Sequence, residues 1–193
     1  MTATTTKDRI LDAAKEIMLQ KSFHSVGLNE ILTSVKVPKG SFYHYFASKE
    51  QFGTELLQHY TAQHTARLRQ VLLSEDLDPL QRLVSFMEGT AATMLECQCK
   101  QLCLVAKLGA EVSTFSEPMR AVLAEGIRDW RGIFEQVIRE GQESGVIRKN
   151  IAASDAAGVV QDLWQGAMHR AQIEKSASAL CNAARFVREN LAA

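Results

Sequence analysis

The chain has 193 residues, 22 Lys and Arg balancing 22 Asp and Glu, with 46% hydrophobic and 23% charged positions. This balance is that of a folded rather than a disordered chain and argues against a uniformly basic surface, and the length suits one sizeable globular unit or a small domain joined to a larger one. No stretch reaches the roughly 18 apolar residues of a membrane span, and MTATTTKDR at the start lacks an apolar signal core, so a cytoplasmic protein without membrane partners is expected.

Glycine and proline are sparse, at 11 and 3, and apolar residues recur at three- and four-residue spacing nearly throughout. An all-α fold is expected. A threonine cap at Thr5 or Thr6 opens a first helix to about Lys21 that buries Ile10, Ala13, Ala14, Ile17 and Met18. A second, short helix spans about Leu28 to Ser34, followed by a turn at Val35-Lys36-Val37. Pro38 suits the entry to a third helix, because its missing N–H would have no intrahelical partner there. Phe42 and Phe46, four apart, share a face toward a small core, while Lys39, Tyr43 and His44 fall on other faces.

Ser48-Lys49-Glu50-Gln51 fits a capping box for a long helix to about Ser74, a connector between a small head and a larger body. The body is expected to hold a helix near 79–96, one at about 99–112 carrying Cys97, Cys99 and Cys103, and one opened by Ser116-Glu117-Pro118. That last helix carries Leu123, Ile127, Trp130, Phe134 and Val137 in a heptad-like seam ended by Gly141 and Gly145. Ser154-Asp155 is expected to cap a helix with Val159, Val160, Leu163, Trp164, Ala167 and Met168 on a wide apolar face. A final helix holds Leu180, Cys181, Ala184, Val187 and Leu191. Such apolar helices exceed what one small core needs and suggest a homodimer.

Two short helices joined by a three-residue turn, the second opening on small and polar residues, outline a helix-turn-helix. Its second helix would lie in a major groove, with Lys39 and Gly40 at the groove, Ser41, Tyr43 and His44 offering hydrogen bonds, and Lys49 near a phosphate. Residues 1–50 hold seven Lys/Arg against five Asp/Glu, and the remainder 15 against 17, an asymmetry that permits such contact.

The run Gly40-Ser41-Phe42-Tyr43-His44-Tyr45-Phe46-Ala47-Ser48-Lys49-Glu50-Gln51-Phe52 resembles the "GxLYxHFxSKExL" pattern of the tetracycline-repressor (TetR) family of bacterial transcription regulators. The resemblance in motif covers about residues 7–57. It implies a DNA-binding head at 1–50, with the helix-turn-helix at about 28–47, and an effector-binding and dimerisation body at 51–193. Lys39, Gly40, Ser41, Tyr43, His44, Tyr45 and Lys49 inherit DNA-facing positions, Tyr45 being open to either side on the face argument. It further implies a homodimer that reads a pseudo-palindromic operator, with Leu123, Ile127, Trp130, Phe134, Val160, Trp164 and Met168 at the interface. Lys36 and Ser22 stand where glycines are usual, and Gly27 replaces the usual Thr/Ser cap of the second helix.

Four cysteines, three within seven positions, are too few for a disulfide scaffold, and reduced thiols are expected. The run from Cys103 to Arg120, CLVAKLGAEVSTFSEPMR, resembles the N-ethylmaleimide-responsive branch of the family, which implies a cysteine at 103 sensing electrophiles and oxidants. Lys107, four residues on, and Lys100, three before, could each lower the thiol pKa. The branch has a lysine where Gln172 stands, so a cysteine–lysine pair would need another, such as Lys175. The alternative for Cys103 is a small buried hydrophobe. A metal shared by Cys97, Cys99 and Cys103 is not expected, since 97 and 99 diverge on a helix, and no cofactor is called for.

A purely noncovalent effector held by Trp130, Trp164, Phe86, Met87, Met94 and Met168 is the alternative within the regulator class. From another class, a thiol-dependent enzyme is the competitor. The sequence holds no G-x-S-x-G, Walker loop, H-E-x-x-H or dinucleotide fingerprint, and no catalytic residue is assigned.

Overall fold

The computed structural model describes residues 5–99 and 103–193. Among these it contains nine α-helices and one isolated bridge, Ile147 to Ala192. They are α1 (Thr6–Met18), α2 (Leu28–Ser34), α3 (Lys39–Tyr45), α4 (Lys49–Leu72), α5 (Pro79–Glu96), α6 (Leu104–Val112), α7 (Glu117–Ser144), α8 (Ala153–Glu174) and α9 (Ser178–Leu191). The chain divides into two compact units, Met1–Gln63 with Cys103–Glu125 and His64–Leu102 with Gly126–Ala193. Helices α4 and α7 contribute residues to both.

In the first unit, α1 starts at a full capping box: the Thr5 hydroxyl accepts the Asp8 N–H at 3.1 Å, and the Asp8 carboxylate accepts the Thr5 N–H at 3.0 Å. The helix stops at Met18, short of the expected Lys21, and the Gln20 N–H closes it with a tighter i→i−3 bond to the Ile17 carbonyl at 3.0 Å. The chain then drops Phe23 and Val26 into the core, two residues that helical spacing did not reveal. They join Ile10, Leu11, Ala14, Met18, Ile31, Leu32 and the Phe42–Phe46–Phe52 cluster, whose ring centroids lie 5.1 to 5.5 Å apart.

Helix α4 begins with its expected cap. Ser48 Oγ accepts the Gln51 N–H at 3.0 Å, while the Gln51 side chain reaches one residue further back than usual, to the Ala47 N–H at 2.9 Å.

The helix expected over 99–112 begins later, at Leu104, and Cys97 and Cys99 lie outside it. Helix α5 closes at Glu96 with the Cys99 N–H on the Met94 carbonyl and the Gln98 N–H on the Leu95 carbonyl, the bonding of a Schellman cap. Gln98 and Cys99 both take left-handed backbone, φ 54° and 53°, which no continuing α-helix allows. Helix α6 restarts at Leu104 with Cys103 as its N-cap residue.

In the second unit, α5 and α8 both pack on α9. Asp78 caps α5 through the Gln81 N–H at 2.9 Å, with Pro79 at the first helical position. Trp130, Phe134 and Trp164 are buried, with Trp164 lying 6.4 Å from Trp130 and 6.0 Å from Phe134, and the Phe86 ring meets Trp164 at 5.1 Å and Phe134 at 5.8 Å. The Arg82 guanidinium is buried with them and donates to the Leu72 carbonyl at 3.0 Å and to Glu140 at 2.7 Å.

Two expected punctuation marks move. Ala152 rather than Ser154-Asp155 is the N-cap of α8, and the two polar residues sit within its first turn. Gly141 stays inside α7, where a Cβ would come within 2.5 Å of Ile147, and Gly145, at φ 81°, ends the helix alone.

Candidate nucleic-acid interface and thiol site

Helices α2 and α3 form the helix-turn-helix. Their turn is a Schellman cap: the Val37 N–H reaches the Leu32 carbonyl at 2.9 Å and the Lys36 N–H the Thr33 carbonyl at 3.2 Å. Lys36 takes the left-handed position, φ 56°, that a glycine would fill without strain. Gly27 caps α2 with no side-chain hydrogen bond. Two of the departures noted in the sequence, Gly27 and Lys36, therefore fall at the two ends of α2 and leave the hairpin intact, and the third, Ser22, lies in the loop after α1.

The rings of α3 separate by face. Phe42 and Phe46 are each 1% exposed, whereas Tyr43 is 60% exposed. Lys39, Gly40 and His44 are exposed, and Ser41 and Tyr45 half-buried. No atom lies within 4 Å of where a Gly40 Cβ would stand, so its surface is open to a close approach. Lys49 is placed differently from its neighbours. Its ammonium donates to the Val26 carbonyl at 2.9 Å and the His24 carbonyl at 3.3 Å, and lies 5.2 Å from the Phe23 ring centroid.

The loop after α1 is gripped from the other side by α6. The Glu111 carboxylate accepts the Phe23 N–H at 3.0 Å and the His24 N–H at 3.1 Å. Burial raises the pKa of this carboxyl, but the hydrogen bonds from His24 and Phe23 outweigh it and hold the group below its usual range. Ser116 Oγ donates to Glu50 at 2.7 Å in the same unit.

At the other end of α6 lies Cys103, 8% exposed. Tyr60 of α4 donates its hydroxyl to Cys103 Sγ at 3.3 Å and accepts the Leu104 N–H at 3.2 Å. Burial raises the thiol pKa, while the Tyr60 hydrogen bond and the backbone amides of Ala106 and Val105 act against it. Lys107, the expected activator, gives its backbone N–H to the Cys103 carbonyl at 2.9 Å; burial lowers the pKa of its ammonium, and the Glu111 carboxylate acts against that. Lys100 lies outside the described residues. Lys175 is the left-handed C-cap of α8, in the second unit. Tyr60 and Glu111 had no motif to mark them, since each acts on residues far away in sequence.

Leu123, Trp130, Phe134, Val160, Trp164 and Met168, expected at a dimer interface, are all buried within the single chain. Their heptad-like spacing is that of an intrachain core seam, and of the seven only Ile127 is exposed. The exposed apolar side chains of the last two helices are Val159 and Ile173 on α8 and Phe186 on α9. Of the six aromatic and methionine residues considered for an effector pocket, Met87, Met94, Met168, Trp130 and Trp164 are buried, and Phe86 is half-buried with its ring tilted against Trp164. No helix among the described residues is long and apolar enough to cross a membrane.

A helix-turn-helix with a buried aromatic face and an open polar face, joined to a larger helical body, defines a DNA-binding regulator. The family profile described as "Bacterial regulatory proteins, tetR family" matches residues 10–56, and that of the "Tetracyclin repressor-like, C-terminal domain" matches residues 79–187. The chain belongs to the TetR family. It is 33% identical over 187 residues to the HTH-type transcriptional repressor NemR of Escherichia coli K12, covering 97% of this chain and 94% of that one. It is 30% identical to the repressor DhaR of Mycobacterium sp. strain GP1, covering 91% and 87%. The crystal structure of reduced E. coli NemR superposes with a TM-score of 0.90 at 34% identity over 97% of this chain and 98% of that one. A TetR regulatory protein from Rhodobacter sphaeroides gives 0.87 at 32% identity over 95% and 97%. The protein is thus a DNA-binding transcriptional regulator and not an enzyme, and like its family it binds operator DNA as a dimer.

Proposed function

We propose that the protein is a cytoplasmic repressor released from a pseudo-palindromic operator when an electrophile or oxidant modifies Cys103. The observation that carries this reading is the placement of the Cys103 sulfur at the N-terminus of α6, beside the Tyr60 hydroxyl and the amides of Val105 and Ala106. A thiolate formed there is stabilised by those donors and by the helix dipole, although the resting thiol is protonated.

In this reading residues 1–50 are the DNA-binding domain and 51–193 the sensing and dimerisation domain. Lys39, Gly40, Ser41, Tyr43, His44 and Tyr45 present hydrogen-bonding groups to the major groove, the first three at the start of α3 where base edges are met. Lys49 braces the loop carrying His24 and Val26, and the first amides of α4 take the phosphate in its stead. The exposed Val159, Ile173 and Phe186 of α8 and α9 form the dimer seam in place of the buried residues.

A second reading is favoured by one observation: Trp164 Nε1 is buried with no hydrogen-bond partner among the described residues. An apolar effector carrying one acceptor atom would satisfy it without any covalent step.

The test is a salt-controlled titration of the protein on its own upstream DNA, with and without N-ethylmaleimide, for wild type and Cys103→Ser. Loss of binding on treatment in wild type and retention in the variant support the thiol switch. Binding indifferent to electrophiles in both moves the effector to the Trp164 region.

A further inference from the structure

We propose that Tyr60 is the positioning residue that sets the reactivity of Cys103, an inference that rests on the thiol-sensing reading above. The phenol is held by two contacts at once. It accepts the Leu104 N–H, one of the N-terminal amides of α6 that no intrahelical carbonyl can reach, and this aims its own proton at Cys103 Sγ. It stands on α4, 43 residues away in sequence from the sulfur.

The hydrogen bond has a sign. A phenol O–H donated to sulfur stabilises the thiolate far more than the thiol, because hydrogen bonds to ionised acceptors are the stronger kind. Burial works in the opposite direction, and the balance leaves a thiol that is protected at rest yet ionises next to a fixed donor.

With a maleimide the reaction balances as follows. Cys103 loses its proton to solvent, and the thiolate lone pair forms an S–C bond to one alkene carbon. The alkene π pair moves to the adjacent carbonyl as an enolate, and solvent returns a proton to the other carbon, so that S–H has added across C=C. The thioether sulfur that results is a weak acceptor, and the added ring occupies the space in which the Tyr60 hydroxyl met it. Tyr60 is then displaced from the Leu104 amide, and the link between α4 and α6 at this point is lost.

The experiment is the pH profile of N-ethylmaleimide addition to Cys103 in the full chain, followed by mass spectrometry of the Cys103 peptide, for wild type and Tyr60→Phe. Removing a hydrogen bond to an ionised group moves the midpoint of the profile up by about one pH unit. The more basic thiolate is also more nucleophilic, so the rate at neutral pH falls by about threefold rather than tenfold. Site-specific 4-aminophenylalanine at position 60 keeps the packing and offers a weaker N–H donor that stays neutral over this pH range, and it shifts the midpoint up by less than Tyr60→Phe does.

A profile unchanged in both variants, with wild-type Cys103 reacting, overturns the role of Tyr60 and leaves the thiol switch standing. A wild-type Cys103 that does not react at any pH overturns the thiol reading itself. If Tyr60→Phe is unstable, the aminophenylalanine protein alone decides, since a merely structural tyrosine gives no shift of the midpoint.

Discussion

Glu111 and His24 meet twice: one carboxylate oxygen of Glu111 accepts the His24 backbone N–H at 3.1 Å and lies 2.9 Å from its Nδ1. The other oxygen holds the Phe23 N–H. One acidic side chain on α6 therefore closes two backbone donors in the loop after α1, which neither helix end nor sheet could satisfy. Glu111→Ala is expected to cost about 1–3 kcal/mol of stability by leaving those donors without their charged acceptor. Amide hydrogen exchange at Phe23 and His24 should accelerate while that of α8 and α9 stays unchanged. Because the folded pKa of Glu111 lies below its usual value, its contribution is present above the ordinary carboxylate pKa and is lost as pH falls through the folded one.

His64 gives an acid dependence of the same direction by a different route. Burial, with a smaller contribution from Arg67, lowers its pKa from 6.5 to about 4. Between those values the unfolded chain binds the proton that the folded chain refuses, so stability rises with pH across that window and is complete above it. Acidification from pH 7 to 4 should remove up to about 3 kcal/mol through this group. Its ring lies 4.5 Å from Trp130, so His64→Phe should flatten the dependence in urea melts while keeping the aromatic packing.

Lys36 occupies a left-handed turn position where glycine is free of strain. Lys36→Gly should raise stability by up to about 1 kcal/mol, the cost of a side chain in that conformation less the entropy glycine loses on folding. Thermal unfolding followed by circular dichroism measures it. A fall in stability would show that the Schellman turn carries no strain.

Gly53 shows the reverse case. A Cβ there would stand 2.5 Å from the Phe23 ring and 2.3 Å from Met119. The methionine tip can move but the buried Phe23 ring cannot, so Gly53→Ala should destabilise the first unit by about 1–3 kcal/mol. Urea unfolding that shows no loss would mean that the Phe23 loop yields.

Tyr43 and Phe42 are neighbours with opposite expected phenotypes. Tyr43→Ala should weaken operator binding about tenfold with the melting temperature unchanged, since the ring is exposed. Phe42→Ala should cost about 3–5 kcal/mol and unfold the head. Titrations at two salt concentrations separate the two, because a lost groove contact lowers affinity while the steep salt dependence from phosphates persists.

The helices of the head were legible in the sequence because their signals are local. Thr5 and Ser48 cap within three residues, Pro38 marks its own helix entry, and the Phe42–Phe46 spacing needs only one helical turn to define a face. The family motif at Gly40 to Phe52 rests on the same local pattern. The cysteine run misled because apolar spacing continues through it, while the left-handed Gln98 and Cys99 break the helix without a glycine to announce the break. The seam through Trp130 and Phe134 misled for another reason. A heptad-like stripe states that a face is buried but not whether its partner is the same chain or a second copy.

By itself, then, the sequence determined the all-helical class, the helix-turn-helix and the family, each written in contacts spanning a few residues. Only the tertiary structure decided what surrounds Cys103 and what holds the loop at His24. Tyr60, Glu111 and the buried seam act across dozens of residues, and only packing brings such groups together, since no local periodicity records a partner that far along the chain.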